Sequence, residues 1–102
     1  MLDVFKQIFG TSTDYKALVE AGALIVDVRT PQEFQAGHIK GSQNLPLGEF
    51  DRHIAKLQKA GKPIITCCAS GMRSGSAAGK LKAAGVEAYN GGGWQSLNQA
   101  IK

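Results

Sequence analysis

The chain has 102 residues, a length that fits one domain with its own buried core. Its composition, 43% hydrophobic and 20% charged, is ordinary for a globular protein. The net charge is +4, but the basic residues are scattered and do not alternate with aromatic ones, which argues against nucleic-acid binding and favours small anions as ligands.

The first ten residues, MLDVFKQIFG, are predicted to form an amphipathic segment that packs on a domain spanning residues 11–102. A membrane-surface anchor is the alternative for this segment. It is too short and too charged for a secretory signal, and no apolar run in the chain is long enough to span a membrane. We therefore expect no membrane span and a cytoplasmic location.

Helices and strands are predicted to alternate in the first half of the chain. The predicted elements are a helix that is capped by Thr13 or Asp14 and runs to Glu20, a strand over residues 23–28, a helix that starts at Pro31 and ends at Gly37, and an extended piece over residues 44–46. The strand, ALIVDV, is apolar and β-branched, as buried strands are. Thr30 before Pro31 is typical of a helix start, and a glycine ends each helix.

The second half continues the alternation. The predicted elements are a helix through Phe50, Ile54 and Leu57 that ends at Gly61, a strand from Pro63 to Cys67, a helix from about Ser74 to Gly85, a strand over residues 86–89, a turn over residues 90–93 and a short helix from Trp94. This order predicts a single α/β domain with a central, mostly parallel sheet of about four to five strands and helices on both faces. Ligands of such sheets bind at the carboxyl ends of the strands.

The only two cysteines, Cys67 and Cys68, are adjacent and stand at such an end. Their Cα atoms, ~3.8 Å apart, are too close for a relaxed disulfide, and no Cys/His spacing suits zinc. Free thiols indicate a reducing compartment. Cys67, as the last strand residue, is expected to be buried packing. Cys68 is expected to open the loop and to be the nucleophile.

The loop after the strand has the properties that stabilise a thiolate. Its converging N–H groups and the start of the next helix attract an anion. Gly71 permits a positive φ, and Arg73 adds a permanent positive charge. Together these features can lower a cysteine pKa from ~8.5 toward the range ~3.5–7.5. Ser70 and Ser74 either contact the substrate or satisfy backbone groups.

Residues 68–74, CASGMRS, resemble the active-site loop of rhodanese-family sulfurtransferases, which reads Cys, two variable residues, Gly, one variable residue, Arg, Ser. Residues 24–47 (LIVDVRTPQEFQAGHIKGSQNLPL) look like the second signature of that family, and residues 81–94 resemble its closing segment. The similarity runs from about residue 14 to residue 101 and implies a single rhodanese-like domain.

The resemblance implies a sulfurtransferase that moves a sulfane sulfur from a donor such as thiosulfate to a thiol or cyanide, through a persulfide on Cys68. The expected substrate-binding loop comprises Ala69, Ser70, Gly71, Met72 and Ser74. Arg73 would hold the anionic donor or orient the loop. Position 69 is often basic in the family, and Ala69 leaves Arg73 as the one fixed cation of the loop, which weakens the case for thiosulfate.

The remaining expectations concern the surroundings of the loop. Asp27 and Arg29, at the end of the first strand, either stabilise the fold or act on the site indirectly, through the residues that contact the substrate. No metal and no organic cofactor is required. The expected partners are a small sulfur-containing anion as donor and, as acceptor, a small thiol or a thioredoxin-like protein. We expect a monomer.

Two alternatives stay open. A phosphatase would use Cys67, whose spacing to Arg73 is C-x5-R, the spacing of a phosphate cradle. Thr66 stands where the related phosphatases usually have histidine, and no acidic residue lies in the loop as a general acid. The other alternative is a module that binds or relays sulfur for a protein partner without turnover.

Overall fold

The structure is a computed structural model that describes residues 13–102. In chain order its elements are α1 (Tyr15–Glu20), β1 (Leu24–Asp27), α2 (Pro31–Ala36), β2 (Gln43–Asn44), a 3-10 helix (Leu47–His53), α3 (Ile54–Ala60), β3 (Ile64–Cys68), α4 (Met72–Ala83), β4 (Ala88–Gly93) and α5 (Trp94–Ala100). The amphipathic segment predicted for residues 1–10 lies outside the described residues. Within residues 13–102, no helix combines the length and the apolar character needed to cross a membrane.

The four strands form one parallel sheet in the order β2-β1-β3-β4. Each parallel connection crosses over a face of the sheet, and helices fill most of those connections. Asp27 at the end of β1 is paired with Cys67 of β3, and Cys68 is paired with Gly93 at the end of β4. The predicted α/β class is therefore confirmed, with four strands, and the carboxyl ends of the three longer strands meet at Cys68.

The core has one layer on each face of the sheet, because successive strand residues point to opposite sides. One layer combines Val26, Ile64 and Cys68 of the strands with Phe50, Leu57, Ala77 and Leu81 of the 3-10 helix, α3 and α4. The other layer combines Ile25, Ile65 and Cys67 with Leu18, Trp94 and Leu97 of α1 and α5. The two cysteines, adjacent in sequence, thus belong to different layers.

The start of α2 is held by a reciprocal pair of hydrogen bonds, as the residues Thr30 and Pro31 predict. The Thr30 hydroxyl accepts from the Glu33 N–H at 3.2 Å, and the Glu33 carboxylate accepts from the Thr30 N–H at 3.0 Å. This capping box fixes the Glu33 side chain at the first turn of the helix. Glu33 is therefore presented in one orientation toward the rest of the molecule.

The turn predicted over residues 90–93 is wrong, because β4 begins at Ala88 and continues through the glycines to Gly93. The reason is the close approach of β4 to β3. A Cβ at Gly91 would lie 2.8 Å from the Ile65 side chain and 2.8 Å from the Thr66 carbonyl oxygen. A strand can therefore lie here only if position 91 has no side chain.

Two boundaries at the cysteine loop also differ from the prediction. Cys68 is the last residue of β3 rather than the first residue of the loop, because it still pairs with Gly93 across an irregularity in the β3–β4 register. The helix α4 begins at Met72, two residues before the predicted start near Ser74. The loop between strand and helix is consequently only three residues long, Ala69, Ser70 and Gly71.

Candidate active site

The sulfur of Cys68 is the point on which the loop converges. Its Sγ accepts hydrogen bonds from the Gly71 N–H at 2.9 Å and from the Ser74 N–H at 3.4 Å, and it lies 3.3 Å from the Ser74 hydroxyl oxygen. Gly71 has a φ of 104°, a conformation that favours glycine and that turns the loop back over the sulfur. The cradle is closed, since Cys68 is 0% exposed.

Opposing effects act on the pKa of Cys68. Burial raises it, but hydrogen bonds from the Ser74 side chain and from the backbone N–H groups of Ser74, Gly71 and Ser70 outweigh burial, so the pKa is lower than that of an ordinary thiol. Thiolate is the nucleophilic form of cysteine. Once the thiolate forms, these donors stabilise it.

Cys67 has the opposite environment, on the other face of the sheet. Burial, reinforced by the negative charge of Asp27, raises the pKa of Cys67 to about 12. Its thiol is therefore neutral across the physiological range and packs beside Ile65 and Leu97. A phosphatase that uses Cys67 as nucleophile is not supported by this arrangement.

Arg73 is directed away from the sulfur and toward α2. Its two terminal nitrogens donate to the two carboxylate oxygens of Glu33, at 2.9 and 3.0 Å. The Arg73 hydrogen bonds, and then the Thr30 N–H, lower the pKa of Glu33 to about 2. Both side chains are 36% exposed, so solvent and salt reach the pair. In this geometry Arg73 connects the cysteine loop to α2.

Asp27 and Arg29 form a second ion pair, which is buried. Arg29 donates to Asp27 through Nε and through Nη2, the latter at 2.7 Å, and Nη2 also donates to the Gly37 carbonyl at 2.6 Å. The guanidinium lies 4.9 Å from the ring centroid of Trp94, within cation–π range. Among the described residues, none of the hydrogen bonds of this pair reaches the cysteine loop. The contacts instead connect β1 to the end of α2 and to α5.

The residues on the outer surface of the loop are small or apolar. Ala69 and Ser70 are exposed, and Met72 is the exposed large hydrophobic residue of the described chain, at 83%. The Met72 side chain therefore lies in solvent rather than against the sulfur. Of the predicted loop residues, the structure brings Gly71, Ser74 and the Ser70 backbone to Cys68, whereas Ala69 and Met72 form the rim.

Asn90 is a residue of the site that the sequence did not reveal. Its Oδ1 accepts from the Ser74 hydroxyl at 2.6 Å and from the Gly92 N–H at 3.0 Å, and its Nδ2 donates to the Gly71 carbonyl at 3.0 Å. The local sequence pattern favoured a turn at this position. The signal that could have located it is its place in a parallel strand beside the cysteine strand, since neighbouring parallel strands end at the same edge of the sheet.

The chain is similar to known proteins in sequence and in fold. The rhodanese-like domain family matches residues 11–100. The chain is 38% identical over 82 residues, 78% of its length, to the uncharacterized protein YqhL of Bacillus subtilis, and 42% identical over 66 residues, 65% of its length, to the thiosulfate sulfurtransferase GlpE of Pseudomonas savastanoi pv. phaseolicola. These matches span 64% and 61% of the two relatives.

A solved structure shows the same fold. The chain resembles the rhodanese-related protein of Thermoplasma volcanium with a TM-score of 0.71 and 31% sequence identity. The match covers 86% of this chain and 90% of the Thermoplasma chain. The sequence match and the fold therefore point to the same family.

Proposed function

Because the chain belongs to the rhodanese-like domain family, we propose that it is a sulfurtransferase that carries a sulfane sulfur on Cys68. The observation that supports this most directly is the convergence of the Gly71 and Ser74 N–H groups on the Cys68 sulfur. Such a cradle stabilises the negative charge of the Cys68 thiolate, which is the form that attacks a sulfur donor. The similarity to an enzyme named thiosulfate sulfurtransferase supports the same activity.

The reaction consists of two displacements. In the first, the Cys68 thiolate attacks the outer sulfur of thiosulfate, the S–S bond of thiosulfate breaks, and sulfite leaves with the bonding electron pair. In the second, an acceptor thiolate attacks the outer sulfur of the Cys68 persulfide, a new S–S bond forms on the acceptor, and the Cys68 thiolate leaves. The charge is conserved in each step, and neither step needs a metal or an organic cofactor.

The loop Ala69, Ser70, Gly71, Met72 and Ser74 would bind the sulfur in this scheme. Since the Cys68 sulfur is buried, the donor reaches it only after the exposed part of the loop, at Ala69 and Ser70, moves aside. Arg73 has its guanidinium on Glu33, which supports a role in orienting the loop more than in binding the donor. Asp27 and Arg29 would support the site indirectly, because their ion pair holds the end of β1 in place.

The partners follow from the same chemistry. The donor is a small sulfur-containing anion, and the acceptor is a small thiol or a thioredoxin-like protein that can approach the uncharged rim at Ala69 and Met72. Sulfur transfer of this kind needs reduced thiols, which supports a cytoplasmic location. We propose a monomer as the working state.

The decisive experiment is the intact mass of the protein after incubation with thiosulfate. We expect a gain of one sulfur atom that Cys68→Ser abolishes and that the matched variant Cys67→Ser retains. Loss of the gain in Cys67→Ser with retention in Cys68→Ser would contradict the assignment. A phosphatase would instead hydrolyse a generic phosphate ester and gain no sulfur. Repeated turnover with thiosulfate and cyanide would indicate an enzyme, whereas a relay module would be loaded with sulfur once and show no turnover.

A further inference from the structure

The hydroxyl of Ser74 has one hydrogen and two neighbours that compete for it. The Asn90 Oδ1 lies 2.6 Å from the hydroxyl oxygen, and the Cys68 Sγ lies 3.3 Å from it on the other side. Ser74 is fully buried, so water does not offer a third partner. Which neighbour receives the hydrogen decides whether the hydroxyl stabilises the thiolate or the neutral thiol of Cys68.

The backbone around Asn90 fixes the orientation of its amide group. The Gly92 N–H can only donate, so the atom 3.0 Å from it must be the Asn90 oxygen. The Gly71 carbonyl can only accept, so the atom 3.0 Å from it must be the Asn90 nitrogen. The amide lies over Gly75, where a Cβ would come within 3.1 Å of the Asn90 Nδ2, so the missing side chain of Gly75 leaves room for it.

This orientation determines the direction of the next two hydrogen bonds. The Asn90 Oδ1 faces Ser74 and can only accept, so the single hydroxyl hydrogen points to Asn90 at a short distance of 2.6 Å. The hydroxyl then has only lone pairs to offer Cys68. When Cys68 is protonated, the 3.3 Å contact is then a hydrogen bond that the Cys68 thiol donates to the Ser74 oxygen.

We propose that Asn90 is a positioning residue of the site, which competes with the Cys68 thiolate for the hydrogen of Ser74 and so makes the thiolate less favourable than it would be without Asn90. When Cys68 releases its proton to solvent, the Ser74 hydroxyl turns from Asn90 to the sulfur, and Asn90 keeps the Gly92 N–H as its donor. The Gly71 and Ser74 N–H groups donate to the sulfur in both states. Asn90 thus competes with the thiolate for one hydrogen.

Other charges near Cys68 do not distinguish the two states of the hydroxyl. The titratable groups on the surrounding elements are Cys67 on β3, Tyr89 on β4, Asp27 and Arg29 at the end of β1, Glu33 on α2, and Arg73, Lys80 and Lys82 on α4. Asp27 and Arg29 form one ion pair, and Glu33 and Arg73 form another. Because all of them are retained when only Ser74 and Asn90 are changed, their effects cancel in a comparison of such variants.

A double-mutant cycle on the ionisation of Cys68 tests the proposal. The four proteins are the parent, Ser74→Ala, Asn90→Ala and the double variant with both substitutions, each in a Cys67→Ala background so that one thiol titrates. The thiolate absorbance is followed against pH as the difference from the matching Cys68→Ala protein. Ser96→Ala, which removes an exposed hydroxyl on α5, is the control and leaves the pKa unchanged.

The effect of Asn90→Ala on the pKa of Cys68 is compared in two backgrounds, one with Ser74 and one with Ser74→Ala. We expect the lowering of the pKa to be greater by about 0.5 to 1 pH unit when Ser74 is present, which is the equivalent of one net hydrogen bond. Asn90→Ala also removes the hydrogen bond to the Gly71 carbonyl, but this loss occurs in both backgrounds and does not contribute to the difference between them. An equal effect in the two backgrounds, or a larger lowering without Ser74, overturns the proposal. The inference rests on the proposed function, but no sulfur donor is used, so its failure is distinguishable from a failure of sulfur transfer.

Discussion

Arg73 and Glu33 form a two-pronged ion pair beside the cysteine loop, with Nη1 2.9 Å from Oε1 and Nη2 3.0 Å from Oε2. Arginine favours this bidentate geometry, which gives the pair a fixed orientation as well as an attraction. The positive charge of Arg73, which would attract an anionic donor, is therefore already paired with a carboxylate of the protein. A donor anion must either compete with Glu33 or bind through the backbone N–H groups alone.

The first prediction is that Glu33→Gln lowers the KM for thiosulfate by roughly threefold to tenfold, because it removes one negative charge and releases Arg73. The measurement is steady-state sulfur transfer to cyanide at low ionic strength, where the effect is largest, and again in high salt, where it shrinks. Glu49→Gln is the matched control, since Glu49 is exposed and forms no ion pair among residues 13–102. An unchanged or higher KM in the Glu33 variant would show that Arg73 does not contact the donor.

The second prediction concerns acid stability. The pKa of Glu33 in the folded protein is about 2, below its ordinary value of 4.5, so the ion pair stabilises the fold above pH 4.5 and loses this effect as the pH falls through 2. The difference in unfolding free energy between the protein and its Glu33→Gln variant should therefore shrink between pH 5 and pH 2. Urea unfolding at several pH values measures it. A constant difference over this range would contradict the assignment.

The third prediction separates the two thiols. At pH 8, iodoacetamide should modify Cys68 and leave Cys67 unmodified, because a pKa of about 12 leaves only about one Cys67 in ten thousand ionised. Peptide mapping after a timed reaction identifies the modified residue. Cys67→Ala should react at the unchanged rate and Cys68→Ala hardly at all. Modification of Cys67 in the folded protein would refute the opposite-face arrangement.

The fourth prediction compares a buried with an exposed ion pair. Asp27→Asn leaves the buried Arg29 charge without its partner and should destabilise the fold by about 3–5 kcal/mol. Asp51→Asn breaks the exposed pair with Lys80 and should cost less than about 1 kcal/mol. Thermal or urea unfolding measures both. If the sulfur-transfer rate per folded Asp27→Asn molecule is normal, the role of Asp27 is confined to the fold.

The fifth prediction concerns the glycine strand. Gly91→Ala should destabilise the protein by about 1–3 kcal/mol, because the new methyl group would overlap Ile65, Thr66 and Leu97. Gly79→Ala is the matched control in the exposed part of α4, where a Cβ meets no atom within 4 Å. It should stabilise the helix by about 0.5–1 kcal/mol. Equal effects of the two substitutions would mean that β4 is not packed as closely on β3 as described.

The sequence predicted the parallel α/β sheet and a loop between the cysteine strand and the next helix, because those depend on local patterns: apolar β-branched runs, helix-start residues and a loop glycine. It placed Cys68 in that loop, whereas Cys68 is the last residue of β3. It failed at residues 90–93, because Asn and three glycines locally favour a turn, whereas packing against β3 holds them in a strand, in which only Gly92 has a positive φ, at 79°. The sequence did not predict the hydrogen-bond partners of Arg73 and Ser74, for a similar reason. Glu33 and Asn90 are distant in the chain, and only the assembled sheet brings them to the loop.

The placement of Cys67 and Cys68 on opposite faces of β3 has a consequence for the fate of a bound sulfur. Many thiol enzymes pair their nucleophile with a resolving cysteine, which attacks the first adduct and closes an internal disulfide. Here the second thiol points through the sheet to the other layer, so it cannot attack a persulfide on Cys68. If Cys68 carries a sulfur as proposed, that sulfur can leave only by transfer to another molecule, and the chain would hold one sulfur until that molecule arrives.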